Sequence, residues 1–260
     1  MITLKTPQDV EAIARAGAIL ARLFEAMPAR IRAGVSTAEL DRFADGFIRA
    51  FPGAKPAFKG LYGFPRSVCI SVNEEVVHGI PSSKRVLREG DLLSFDAGVR
   101  LEGWYADAAI TYPVGEIDAG ARRLLDVTRE AMLRGIAAAT VGSRLGDIGH
   151  AVQQTAEAAG FSVVRDLVGH GIGREPHEEP QVPNFGRPGR GLALEAGMVI
   201  CIEPMVNEGR PEVRTLADRW TVVTADQGRS AHFEHTVAVQ ADDPQVLTVL
   251  PGVDPLVAAG

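Results

Sequence analysis

Residues Leu92 to Ala109 read LLSFDAGVRLEGWYADAA, two apolar runs that flank a Leu-Glu-Gly turn and carry one aspartate each. The pattern predicts a β-hairpin. With the turn centred on Leu101 and Glu102, Asp96 lies opposite Asp107, and directly opposed residues share a face with Cβ atoms ~5 Å apart. Two carboxylates that close, among Leu93, Phe95, Val99 and Ala106, repel one another and resist burial. A shared proton, an arginine or a bridging metal ion would each neutralise them. The rest of the chain has to choose.

The chain has 260 residues, 23% charged and 46% hydrophobic, ordinary for a globular protein able to bury a proper core. We read it as a single domain, residues 1–260. The net charge of -6 argues against nucleic acid as the main partner. No apolar run approaches the ~20 residues that span a bilayer. The N-terminus, MITLKTPQDVEAIARAG, breaks into charge too early for a signal peptide, so a cytoplasmic protein with no membrane partner is expected. Cys69 and Cys201 lie far apart in apolar runs and read as buried free thiols, with no cysteine-type zinc site.

Thr6-Pro7 opens an amphipathic helix that extends to about Met27. Ser36-Thr37-Ala38-Glu39 is a capping box that opens a second. Ser67 to Val77 is β-rich and broken by a turn at Asn73. After the hairpin, helices are expected over Asp118 to about Ala139 and Ser143 to about Ala159. Gly34 to Leu40 (GVSTAEL) and Gly142 to Ile148 (GSRLGDI) align at an offset of 108 residues, each opening a second helix. This faint repeat suggests two halves, roughly 1–115 and 116–250, related by a pseudo-two-fold around one central sheet. Beyond Phe161 the chain reads as strand and loop. It holds His170 in Gly169-His170-Gly171, a polar cluster around His177, and two runs that each read as one strand: Met198 to Met205 (MVICIEPM), carrying Glu203, and His232 to Gln240 (HFEHTVAVQ), carrying Glu234. The tail after Asp242 is Pro- and Asp-broken and expected to be ordered only in part.

Each polar residue alone has a bland explanation. Glu203 could point to solvent from a strand edge, and His170 could be a loop histidine. The glycines around His170 lack Walker spacing and a following amphipathic helix, which argues against a phosphate loop. Together the residues say more. Asp96, Asp107, Glu203 and Glu234 all sit in strand-like runs where an unpaired carboxylate costs several kcal/mol to bury. A shared proton could account for two of them but not four. Two divalent cations would supply the missing charge, with His170 as a neutral ligand. Oxygen-rich ligation with one imidazole and no thiolate suits Mn, Fe(II) or Co, and admits Zn.

Asp96, Asp107, His170, Glu203 and Glu234, in this order and at these intervals, resemble the five metal ligands of the methionine aminopeptidases. The phrases SVCISVNEEVVHGIP, LSFDAG, GHGIG, PHEEP, IEPM and FEHTVAV are similar too, and the likeness covers about Thr6 to Val239. The chain is closest in character to the short bacterial type I enzymes. The resemblance implies an α/β (α+β) pita-bread fold, with two pseudo-symmetric αβ halves around a central antiparallel sheet enclosing a dinuclear metal site. It implies removal of the initiator methionine from nascent polypeptides, with a small second residue required. It further implies that Asp96 chelates one metal, that Asp107 and Glu234 bridge both, and that His170 and Glu203 complete the other shell. Glu203 would shuttle the proton, His177 would steady the tetrahedral intermediate, and His78 would lie near the substrate amide. Phe64, Cys69 and Trp220, with Phe58 nearby, would form the methionine pocket. Transient contact with the ribosome and a monomeric state are also expected.

Three positions depart from the family pattern. Ala108-Ala109 follow the second aspartate where Thr or Ser is usual, which predicts thinner support behind that ligand. Pro176 replaces a common Phe, and Leu61 a common Tyr. The alternatives are an Xaa-Pro aminopeptidase or dipeptidase on the same fold, normally with an additional N-terminal domain that this chain is expected to lack, and a non-catalytic binding protein on that scaffold. The intact ligand set disfavours the second.

Overall fold

A computed structural model describes residues 2–249. The first half opens with α1 (Pro7–Ala26) and α2 (Thr37–Arg49). Both helices start where the caps predict: Thr6 pairs with Asp9 in one capping box and Ser36 with Glu39 in the other. Short strands β1 (Ala54–Pro56), β2 (Cys69–Val72) and β3 (Glu75–Val77) follow, with Asn73 at positive φ in the turn between the last two. The long hairpin is β4 (Leu92–Leu101) and β5 (Trp104–Pro113).

The second half repeats the order. Helices α3 (Ala119–Ala137) and α4 (Leu145–Ala158) lead into β6 (Ser162–Val163), β7 (Gly169–Gly171) and β8 (Glu178–Val182). Then come β9 (Val199–Ile202), β10 (Met205–Asn207), β11 (Val213–Thr215), β12 (Val222–Thr224), β13 (Ser230–His232), β14 (Glu234–Ala238) and β15 (Gln245–Val246). The expected tail disorder falls mostly beyond Val249, outside the described residues. No described helix is long and apolar enough to cross a membrane.

The main sheet is antiparallel throughout and nine-stranded. Its order is β1-β4-β5-β14-β9-β7-β8, with β2 also on β4 and β15 also on β14. Strand alternation divides its faces. Leu93, Phe95, Ala97, Val99, Ala106 and Ala108 pack with the apolar stripes of α1 and α2. Ile200, Ile202, Val237 and Val239 pack with those of α3 and α4. The helices therefore cover one face, and Asp96 and Asp107 point from the other.

The halves share local wiring. Gly34 N–H donates to Leu87 O and Gly142 N–H to Leu194 O, both at positive φ. Leu87 N–H donates to Val35 O, and Leu194 N–H to Ser143 O. Bridges Ser36–Val86 and Arg144–Ala193 occupy matching places.

Three local expectations need correction. The hairpin turns at Glu102 and Gly103, both at positive φ as a two-residue type I′ turn demands, because Leu101 pairs with Trp104. Asp96 therefore faces Ala109, and Asp107 faces Gly98. Moving the turn by one residue moves each partner by two, so the aspartates keep a common face but sit diagonally. Secondly, MVICIEPM is not one strand: it breaks at Glu203-Pro204 between β9 and β10. Thirdly, HFEHTVAVQ breaks at Phe233 between β13 and β14. Pro204 has no N–H to give to a ladder. Beyond the breaks β10 and β13 pair in a separate sheet, Met205 opposite His232.

Gly98 has a steric reason. A Cβ there would stand 2.8 Å from both Ala57 Cβ and the Phe58 ring. Gly98→Ala is expected to lower stability by about 1–3 kcal/mol through overpacking, read from the urea unfolding midpoint; an unchanged midpoint would mean that Phe58 yields freely.

Candidate metal centre

Asp96 projects from β4 and Asp107 from β5, while Glu234 opens β14 opposite Ala109. One row across three strands thus reads Asp96, Ala109, Glu234. The small Ala109 side chain separates two carboxylates. Carboxylate oxygens of Asp96, Asp107 and Glu234 lie within 4.8 Å of one another. The next row sets Asp107 beside Gly98. From β14, the Thr236 hydroxyl accepts from Asp107 N–H at 3.0 Å and donates to Asp107 O at 2.8 Å. Thr236 thus ties the Asp107 backbone to the neighbouring strand, while the Asp107 carboxylate keeps Oδ1 without a hydrogen-bond partner; Ala108 faces the helix layer.

His170 lies in β7 between two glycines. A Cβ at Gly169 would meet Cys201 O at 2.2 Å and one at Gly171 would meet Glu179 O at 2.3 Å, so close strand approach excludes any side chain there. His170 Nδ1 lies 2.9 Å from Gly171 O, its natural acceptor, which leaves Nε2 as the free lone pair. That nitrogen is 3.5 Å from Glu203 Oε1. Glu203 enters from the strand break, and Asn184 holds its carbonyl at 3.1 Å. All five residues line one cavity of about 560 Å³.

The cavity also gathers His78, His177, Phe58, Phe64, Cys69, Trp220 and Leu61. Phe64 and Trp220 meet edge to face at 5.1 Å, and Phe58, Phe64 and Cys69 are buried together. Pro176 does not line it. Three residues that our sequence reading gave no role stand at the site. His232 is buried with neither ring nitrogen hydrogen-bonded and lies 3.9 Å from Glu203. Cys201 Sγ groups with ligand atoms of His170 and Glu234. Tyr62 stands against His177 at the mouth. His232 had a sequence signal, its place two residues before Glu234; Cys201 and Tyr62 had none beyond adjacency to other site residues.

Electrostatics decide what such a site can hold. Burial pushes the Asp96 carboxyl up to about 8. Burial, then the neighbouring carboxylates, raises Asp107, Glu203 and Glu234 well above the usual range. Burial drives His78 and His170 down to about 4 and His232 to about 3, so these imidazoles are neutral at pH 7. The thiol of Cys201 is raised by burial and stays protonated, a donor toward Glu234 rather than a thiolate ligand. No Lys or Arg stands among the described lining residues. Oδ1 of both Asp96 and Asp107 is buried without a hydrogen-bond partner. Four crowded carboxylates, orphaned oxygens and a lone-pair imidazole fit divalent cations, which would supply the charge that the protein withholds.

Without metal, these acids bind more protons folded than unfolded. Their contribution to stability is then full below the ordinary carboxylate range and is lost as pH rises toward about 8. Chelator-treated protein is expected to show a melting temperature that falls between pH 5 and 8. Added Mn²⁺ or Co²⁺ should raise it, most strongly at pH 8; no response to metal would contradict the fit.

Comparison with known proteins agrees. The profile of metallopeptidase family M24 matches residues 11–241. A methionine aminopeptidase of Clostridium perfringens is 53% identical, over 96% of this chain and 100% of that one. Methionine aminopeptidase 1 of Bacillus subtilis is 50% identical, over 95% and 99%. The crystal structure of methionine aminopeptidase from Thermotoga maritima superposes with a TM-score of 0.94 at 44% identity, covering 96% of this chain and all of that chain. Prolidase from Pyrococcus furiosus reaches 0.76 at 23% identity and shares the fold alone, this chain covering 65% of its length. The pita-bread architecture is thereby shown, and with it a divalent-metal peptidase: this chain belongs to metallopeptidase family M24, among its bacterial-type methionine aminopeptidases.

Proposed function

We propose that this protein removes the N-terminal methionine of nascent polypeptides in the cytoplasm, preferring a small second residue, with two divalent ions held by Asp96, Asp107, His170, Glu203 and Glu234. The observation that carries the reading is the meeting, in one cavity, of four uncompensated carboxylates with an apolar cup. High identity to relatives named methionine aminopeptidase supports it over the Xaa-Pro alternative, whose relatives resemble the chain more distantly. We further read residues 1–260 as one catalytic domain of two halves, roughly 1–115 and 116–250. The matched bridges and hydrogen bonds near Gly34 and Gly142 support that division.

When bound, the metal pair lowers the pKa of a water molecule and polarises the scissile carbonyl. The residues divide the remaining work. Phe58, Phe64, Cys69 and Trp220 take the methionine side chain, burying its thioether by area and S–aromatic contact. Glu203, whose carboxylate stands at the cavity wall 3.5 Å from His170 Nε2, would take the proton of the attacking water and return it to the leaving amine. His177, lowered by burial, remains a neutral N–H donor for charge that develops on the carbonyl oxygen. His78, likewise neutral, serves the substrate amide.

Metal-loaded protein is expected to release methionine from Met-Ala-Ser and to spare Met-Lys-Ser and Xaa-Pro peptides. Absence of Met-Ala-Ser cleavage with Co, Mn and Fe(II) would overturn the assignment. Glu203→Ala and His170→Ala should abolish turnover while circular dichroism stays native. His177→Ala should lower kcat about 10²-fold with metal content unchanged, and a parallel loss of metal would move His177 into the ligand shell.

A further inference from the structure

The geometry points to Tyr62 as a positioning residue for His177, a role that rests on the function proposed above. Tyr62 is anomalous. The residue is 74% exposed, and its backbone is left-handed (φ 50°, ψ 18°). A bulky residue in that region costs on the order of 1 kcal/mol, and such strain persists only where the surroundings impose it. The surroundings here are a tight loop. Leu61 N–H donates to Phe58 O at 2.9 Å, Phe64 N–H to Leu61 O at 2.8 Å, and Gly60 N–H to Phe64 O at 2.9 Å. Gly60 and Gly63 flank Tyr62 at φ 87° and 89°. The same loop inserts Phe58 and Phe64 into the apolar cup and holds Tyr62 outward over the cavity mouth.

What Tyr62 meets there is His177. The two rings are near-parallel, 19° apart with centroids 5.9 Å apart, and the phenol oxygen is 3.5 Å from His177 Nδ1. His177 also meets His170 edge to face, with ring centroids 4.5 Å apart. The backbone after His177 is anchored, since the Glu178 carboxylate accepts from Arg174 N–H and pairs with the buried Lys5 ammonium. The His177 ring has no such anchor. Among the described residues the phenol is its one hydrogen-bonding neighbour, and the Tyr62 and His170 rings both contact it. Tyr62 thus restricts ring rotation by stacking.

The test compares Tyr62→Gly with Tyr62→Phe in metal-loaded protein on Met-Ala-Ser. Glycine suits the left-handed backbone, so the Gly variant should melt at the wild-type temperature or above. Its kcat should nevertheless fall about 5- to 10-fold, with KM within about twofold and metal content unchanged, as loosened geometry predicts. Tyr62→Phe keeps the stacked ring and should recover to within about twofold of wild-type kcat. An unchanged kcat in Tyr62→Gly overturns the proposal, as does a change confined to KM, which would make Tyr62 a substrate contact. Loss of kcat with a lowered melting temperature also overturns it, since that marks a structural role. A wild-type protein inactive on Met-Ala-Ser instead refutes the function on which the proposal rests.

Discussion

Four buried carboxylates with no basic side chain to meet them are the constraint on which the rest of this structure depends. Asp96, Asp107, Glu203 and Glu234 come from four places in the chain and line one cavity; the sheet brings the carboxylate oxygens of Asp96, Asp107 and Glu234 within 4.8 Å of one another. Left alone, burial and then mutual repulsion raise Asp107, Glu203 and Glu234 well above the usual carboxylate range, and burial pushes Asp96 up to about 8. The protein does not resolve this charge with arginine or lysine. It leaves Oδ1 of both aspartates without a donor and keeps the surrounding imidazoles neutral. The arrangement suits divalent cations and little else.

Holding such a cluster requires a stiff frame. Antiparallel pairing fixes the lateral spacing of Asp96, Ala109 and Glu234, and Thr236 ties the Asp107 backbone to the adjacent strand. Both helix pairs bury their stripes on the opposite face, so large apolar side chains press there while small or polar ones face the site. Two neighbouring strands break together at Pro204 and Phe233, where the ladder passes from the main sheet to a smaller one. Both acids keep the strand alternation at that joint: Glu234 shares the row of Ala109, and Glu203 follows Cys201 by two residues on the site face.

Much of this was legible in the chain. The capping boxes at Thr6 and Ser36 start helices by local hydrogen bonds and need no tertiary help. The repeat at Gly34 and Gly142 encodes a turn made twice, with the same positive φ and the same bonds. The hairpin was legible too, but its turn was misplaced by one residue: Glu102-Gly103, not Leu101-Glu102, takes the two positive-φ positions. The tie from Thr236 to the Asp107 backbone joins residues 129 apart and has no local pattern to reveal it. Pro176, noted as a departure, does not line the cavity at all.

The sequence by itself determined which acids would need neutralising and the periodic apolar stripes that cover one face of the sheet. These follow from residue type and from local periodicity, both of which act over a few residues. Only the tertiary structure decided that Asp96 and Asp107 sit diagonally, that Cys201 and His232 stand behind Glu234 and Glu203, and that Tyr62 lies over His177. Those relations join strands and loops far apart in the chain, and their distances are set by ladder register and packing, which no local pattern carries.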